Sequence, residues 1–304
     1  GKMAAINTNM SANVAANSLT RNERSMAATM ERLSTGIRIN SAKDDAAGLA
    51  ITSKMTSQIN GLNQAVRNAN DAISMIQVGE GALKEVTNML QRMRELAIQA
   101  SSDSNTDADR TALNNEFTQL RDEISRIAAN TQWNGTAIFA QTAAVSDKVF
   151  QVGSNASQTI TVSCKNFDAG TTNNTANNSG DATANSSFAA LDVDGGSNAK
   201  NIENIAITSR TGSNEAMFAM SAAIDAVNSQ RALLGASMSR LEFASDNLQN
   251  VAQNSAAARS RVLDADYAAE TTELARTQII QQAGTAMLSQ ANQSQQSILA
   301  LLQS

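Results

Sequence analysis

Apolar residues recur along 44–100 at Leu62, Val66, Ala69, Ile73, Ile76, Leu83, Val86, Leu90, Met93 and Ala97, in steps of mostly four and three. That spacing draws a stripe down one side of a helix, and its period near 3.5 residues favours lengthwise packing on other helices. A helix of this extent would run roughly 80 Å at about 1.5 Å per residue, far beyond the dozen or so residues of an ordinary globular helix. Partners of matching length must come from the chain itself or from other copies. A second stripe begins near Glu215 with Met217, Met220, Ile224, Val227, Leu234, Met238, Leu241, Leu248, Val251 and Val262. The two stripes predict that the C-terminal half returns antiparallel against the N-terminal half. Upstream, Leu19, Met26, Met30, Leu33 and Ile37 repeat at helical spacing, Thr35-Gly36 marks a stop, 38–43 connects, and Asp44-Asp45 stands where a helix start favours acids. Within the long stripe, Gly79-Glu80-Gly81 predicts a local bend. The polar stretch 101–109 predicts a turn, and 110–129 a helix with Leu113, Phe117, Leu120, Ile124 and Ile127 on one face.

The texture changes in the middle of the chain. Trp133-Asn134-Gly135 signals a tight turn, because Asn-Gly readily takes positive φ. Val149-Phe150-Gln151-Val152 and Thr159-Ile160-Thr161-Val162-Ser163-Cys164 alternate apolar and polar, which predicts a hairpin around Gly153-Ser154-Asn155. Residues 169–187 hold only Ala, Gly, Thr, Asn, Ser and Asp, with nothing large to bury, so they read as a surface loop or a disordered insert. Apolar alternation returns at Ile202, Ile205 and Ile207. The fold class that follows is mainly α: a long antiparallel helical coiled-coil bundle with a small β-hairpin region at the chain midpoint. Three domains are expected, namely 3–43 with 265–304, 44–140 with 206–264, and 141–205.

Composition sharpens this picture. The 304 residues contain no proline, where average usage would supply about fifteen. That absence suits a chain of long helices, whose interiors proline breaks. Only 3% of residues are aromatic, so the core must be thin helix-on-helix packing. The net charge of -5 argues against nucleic acid, which is bound by neutralising phosphates with a basic face. No apolar run is long enough for a membrane span, so no membrane insertion is expected. Gly1 and Lys2 precede Met3-Ala4-Ala5-Ile6, which reads as a start, and no secretory signal pattern follows; the expectation is cytoplasmic residence or export by another route. With no histidine and a single cysteine, the usual zinc, Ser-His and Cys-His chemistries are absent and only carboxylate sites stay open; no metal, cofactor or catalytic residue is expected. Cys164 stands in phase with Ile160 and Val162 and reads as a packed apolar residue. Asp264 and Asp266 are a carboxylate pair that either faces different sides of a helix or caps its start, and no cleft-forming domain surrounds them.

The two ends of the chain share an oddity. From Met3 to Thr20, and after Arg276, there is no charged side chain, yet apolar residues continue at helical spacing. A lone surface helix normally shows a charged face. These ends instead suit a place where every side meets another subunit.

Leu33-Ser34-Thr35-Gly36-Ile37-Arg38-Ile39-Asn40-Ser41-Ala42-Lys43-Asp44-Asp45-Ala46-Ala47-Gly48 resembles bacterial flagellin. So do Ala258-Arg259-Ser260-Arg261-Val262-Leu263-Asp264-Ala265-Asp266-Tyr267-Ala268 and Gln278-Ile279-Ile280-Gln281-Gln282-Ala283-Gly284-Thr285. The likeness covers roughly 3–165 and 200–304. It implies a structural subunit that polymerises into the helical flagellar filament, with the chain ends pairing as the inner domain. Ile6, Met10, Val14, Leu33, Ile279, Ile280, Met287, Ile298, Leu301 and Leu302 would then serve assembly of the filament core. It also implies export unfolded to an extracellular flagellum, and as partners further copies of the chain, an export chaperone, hook-junction proteins and a filament cap. Gln91-Arg92-Met93-Arg94-Glu95-Leu96-Ala97-Ile98-Gln99, with Glu116, resembles the patch bound by the flagellin-sensing toll-like receptor. Gln91, Arg92, Leu96 and Glu116 are the recognition residues this implies, although Met93 and Ala97 belong to the packing stripe. The middle region is too short for the large outer domains of some flagellins. Two departures stand out: many flagellins carry a proline near Gln295 and an arginine near Gln303, and this chain has neither. A hook-filament junction protein and a surface-displayed binding protein are the alternative readings.

Overall fold

The computed structural model describes residues 9–41, 43–139, 145–169, 186–196, 198–265 and 267–303. Ile6, Asp266 and nearly all of the low-complexity stretch 169–187 lie outside them. Five long helices dominate: α1 (Met10–Thr35), α2 (Ala46–Ala100), α3 (Asp107–Asn130), α4 (Arg210–Leu263) and α5 (Tyr267–Gln303). Three short antiparallel strand pairs fill the middle: β1 (Gln132–Trp133) with β2 (Thr136–Ala137), β3 (Val145–Gln151) with β4 (Thr159–Lys165), and β5 (Leu191–Asp192) with β6 (Ala199–Lys200). The chain divides into two compact units, Gly1–Ile59 with Gln253–Ser304, and Asn60–Ala252. Both boundaries fall inside α2 and α4.

In the unit Asn60–Ala252, α2 and α4 run antiparallel. Arg231 on α4 donates to Glu80 on α2 at 2.9 Å, and Arg94 Nε donates to Ser221 Oγ at 3.0 Å, so residue numbers fall on one helix as they rise on the other. Leu62, Ile76, Leu83, Val86, Leu90, Met93 and Ala97 of the α2 stripe are buried, as are Met220, Val227, Leu234, Leu241 and Leu248 of the α4 stripe. Val251 departs from its expected place and is 41% exposed, the inward position being taken by Ala252. Alanines carry much of the seam: Ala65, Ala69 and Ala72 on α2 face inward, as do Ala216, Ala219 and Ala223 on α4. Short side chains bring helix axes close and exchange hydrophobic volume for intimate contact.

α2 runs on through the glycine pair without a break. Gly79 has a packing reason: a Cβ there would stand 3.1 Å from Phe139 Cζ, whereas one on Gly81 would meet nothing within 4 Å. Phe139 belongs to an aromatic row, its ring 5.9 Å from that of Phe167, which in turn lies 5.5 Å from Phe188. All three are buried where the strand region meets the helices. The C-terminus of α2 is closed by Arg110, whose Nε donates to the Ala100 carbonyl at 2.8 Å and whose Nη2 donates to that of Ser102 at 3.2 Å. A capping box starts α3 a turn earlier than the polar pattern suggested: Thr106 Oγ1 accepts from Asp109 N, and Asp109 accepts from Thr106 N.

Asn134 and Gly135 form the β1–β2 turn at φ 52° and 77°, as their residue types require. The β3–β4 hairpin is longer than the alternation alone indicated, pairing Val145 with Lys165 at one end and Gln151 with Thr159 at the other. It is fastened to the helices by Gln230, whose buried amide donates to the Ser163 carbonyl at 2.8 Å, and by Asn68, which donates to the Gln151 carbonyl at 3.0 Å. Ile202, Ile205 and Ile207 do not form a strand. They enter the core from a 3-10 turn (Ile202–Asn204) and the segment after it, the 3-10 turn being capped by Asn201. At the rims of the undescribed middle stretch, Ala169 and Ser186 are buried rather than on the surface.

Candidate assembly and recognition sites

The unit formed by the chain ends is built on an antiparallel pair of helices. Asn9 Nδ2 donates to the Ala291 carbonyl at 3.3 Å, Asn22 Nδ2 to the Thr277 carbonyl at 2.7 Å and to Gln281 Oε1 at 3.2 Å, and Arg32 meets Glu270 at 2.9 Å. The inward residues of α1 are Ala12, Ala15, Leu19, Asn22, Met26, Thr29 and Leu33; those of α5 are Glu270, Leu274, Thr277, Gln281, Gly284, Leu288, Ala291, Gln295 and Ile298. Both series alternate threes and fours, the signature of a coiled-coil seam. The seam is nonetheless thin and mixed, with its leucines, Met26 and Ile298 only half-buried beside Asn22, Thr29, Thr277 and Gln281. Along the described parts of α1 and α5, the side chains it buries fully are those of Asn22, Thr29 and Thr277.

Further apolar side chains point away from the seam. Met10, Val14, Ile279, Ile280, Met287, Leu301 and Leu302 are all exposed, with Leu301 at 76%. Leu33 and Ile298, expected beside them, are half-buried on the seam, and Ile6 lies outside the described residues. Met30, expected inward, is exposed. A groove of about 590 Å³ opens along the pair, lined by Met10, Val14, Ala15, Met287 and Ala291 with serines and Gln290 at its edges and no ionisable side chain. Its floor is close because Gly284 admits Leu19; a Cβ on Gly284 would stand 2.5 Å from Leu19 Cδ2.

At the inner end of the pair, the segment after α1 and the segment after α4 are stitched together. Gly36 ends α1 in the left-handed region at φ 70°. Ile37 bridges Asp264, Arg38 N donates to the Leu263 carbonyl, and Ala265 N donates to that of Gly36 at 3.0 Å. The Arg38 guanidinium donates twice to the Val262 carbonyl, at 3.2 and 2.8 Å, answering the negative end of α4. Asp44 accepts from the backbone of Asn40 and Ser41 at 3.0 and 3.1 Å, and the bond from Asn40 is the main reason its carboxyl is held below the usual range. The two sequence motifs, some two hundred residues apart in the chain, are therefore one joint. Arg259 adds a bond to Thr56 Oγ1 at 3.2 Å between α4 and α2.

The second site lies on α2 and α3. Arg92 Nε and Nη2 reach the two carboxylate oxygens of Glu116 at 2.9 and 3.2 Å, and Glu95 stands 3.9 Å away. This fork, chiefly its hydrogen bond to Glu116, raises the Arg92 pKa above its ordinary value. Gln91, Arg92 and Glu116 are exposed, whereas Leu96 is fully buried. Its side chain faces the core and offers no surface to a partner. Beside the fork runs a shallow groove of about 350 Å³ lined by Arg94, Ile98, Ser221, Ile224 and Asp225.

Two known sequence patterns match this chain, the bacterial flagellin N-terminal helical region over residues 6–144 and the bacterial flagellin C-terminal helical region over 217–302. Flagellin from Halalkalibacterium halodurans is 43% identical over 273 residues, covering 90% of each chain. The chain belongs to the bacterial flagellin family. Flagellin B of Vibrio cholerae is 35% identical over 374 aligned positions, with 98% of this chain and 99% of that protein covered. The crystal structure of Bacillus cereus flagellin superposes with a TM-score of 0.45 at 29% identity, covering 64% of this chain and 94% of that one. Flagellins are structural proteins that assemble into the bacterial flagellar filament rather than enzymes, and the family's two defining regions are those that carry the long helices here. Among the described residues no helix is long and apolar enough to cross a membrane.

Proposed function

We propose that this flagellin is secreted and polymerises through its terminal helix pair. One observation carries the reading: the pair leaves Met10, Val14, Ile279, Ile280, Met287 and Leu302 open to solvent. In water that arrangement wastes apolar surface, and it becomes favourable only when further copies cover it. The charge-free composition of both ends supports the same conclusion, since desolvating a charge in such a contact would be costly. Within the unit 1–59 with 253–304, the part assigned to assembly is 3–43 with 265–304, and 44–140 with 206–264 is assigned to the long-helix region. Seeding purified chain with short filament fragments and imaging by electron microscopy tests this, beside a version lacking residues 1–40 and 265–304. Filaments from the full chain and none from the truncation are expected; filaments from both would end the reading.

The export chaperone, hook-junction proteins and filament cap would meet this same unit, because it holds the surfaces left unfilled in the single chain. Recognition by the innate immune receptor is assigned to the exposed Gln91, Arg92 and Glu116, with Leu96 holding α2 in place beneath them. Arg92→Ala should lower receptor signalling by depolymerised protein by about tenfold, the scale of a desolvated arginine contact. Unchanged signalling would remove this part of the proposal.

A further inference from the structure

Two thioethers share the groove of the terminal pair. Met10 on α1 is 64% exposed and Met287 on α5 is 69% exposed, and both line its wall. Met75, Met93 and Met220 are buried in the core of the other unit at 3% exposure or less. Oxidants reach methionine sulfur by contact, so exposure separates these two groups of side chains. Oxidation matters differently at the two places as well. A sulfoxide is polar and accepts hydrogen bonds strongly, and in the open groove Ser11 and Ser294 at the edges, together with water, can serve it. Under an apolar covering surface it would be desolvated without a partner.

We propose that Met10 and Met287 are an oxidation-sensitive pair that governs whether the single chain can assemble; this rests on the assembly reading above. The step is balanced by peroxide alone. The sulfur lone pair attacks one peroxide oxygen, the O–O bond breaks, that oxygen becomes the sulfoxide, and the other leaves as water. Reversal needs a dithiol reductant, which takes the oxygen away as water and becomes a disulfide. Because assembly would cover the groove, the filament protects the two groove sulfurs that, like that of Met30, the free chain exposes.

The test is to treat the monomer with hydrogen peroxide until peptide mass spectrometry finds sulfoxide at Met10 and Met287, with Met75, Met93 and Met220 intact, and then to follow elongation on untreated seeds. Elongation should fall by about tenfold, as a polar group in an apolar contact implies, and a methionine sulfoxide reductase with dithiothreitol should restore it. The double variant Met10→Leu/Met287→Leu, of nearly conserved volume, should lose no elongation to the same treatment, its rate after peroxide matching its own rate before it. Peroxide applied to finished filaments should leave both sulfurs unoxidised. Oxidised chain that elongates at the untreated rate would overturn the proposal, as would a leucine variant that loses elongation to the same degree. Failure of the untreated chain to elongate at all would overturn the assembly reading, and this one with it.

Discussion

Asn22 occupies a seam position that a stronger coiled coil would give to leucine. Its amide is committed twice, to the Thr277 carbonyl and to Gln281, so it fixes which turn of α5 lies against which turn of α1. Asn22→Ala removes both bonds and should cost about 1 kcal/mol, read as about fivefold faster amide exchange along α5. Asp109 acts through protonation. The Thr106 backbone bond holds its carboxyl below the ordinary carboxylate range, so its contribution is present above the unfolded pKa and is lost as pH falls through the lower folded value. Urea midpoints should therefore separate wild type from Asp109→Ala at pH 7 and converge well below pH of about 4. Cys164 is buried, and burial pushes its thiol up to about 11. A thiol reagent at pH 8 should leave the native chain unlabelled and label it promptly in denaturant; rapid native labelling would show that the hairpin opens.

At the scale of elements, the two interior glycines of α2 separate helix propensity from packing. Gly81→Ala meets nothing and should stabilise by about 0.5–1 kcal/mol. Gly79→Ala gains the same propensity but presses on Phe139, and should be neutral or destabilising in the same thermal melt. The sequence could not separate them, because the ring that meets Gly79 arrives from a different part of the chain. The same limit explains other differences. Long helices were legible from period, and so was the Asn-Gly turn from its φ requirement. The alanine share of the seams was not, since alanine serves a helix equally well on either side. Leu96 was named from the resemblance to a recognition patch, yet it falls on the inward face beside Met93 and Ala97. The isoleucines 202, 205 and 207 alternate as a strand would, and Asn201 capping a 3-10 turn redirects them into the core.

At the scale of the whole chain, motifs pointed to the family and topology showed why they travel together. Residues 33–48 and 258–268 are distant in sequence and meet through Arg38, Ile37 and the carbonyls of Val262 and Leu263. Arg38→Ala removes the guanidinium bonded to the Val262 carbonyl and should loosen this joint, seen as faster amide exchange at residues 262–265 with the 60–252 core unchanged. The charge-free ends were legible as a surface seeking cover, but not which apolar residues turn outward. That division depends on the mixed seam, which places Leu33 and Ile298 half inside and Met10 and Met287 outside.

The thin seam also decides how the terminal pair comes apart. Separating α1 from α5 uncovers half-buried Leu19, Met26, Leu33, Leu274, Leu288 and Ile298, whereas opening the 60–252 core uncovers longer rows of fully buried leucine, isoleucine, phenylalanine and alanine. Heat-capacity change and urea sensitivity both scale with newly exposed area. The ends should therefore part with a shallower urea dependence and a smaller calorimetric signal than the core, well before its steep transition, and close again without clumping.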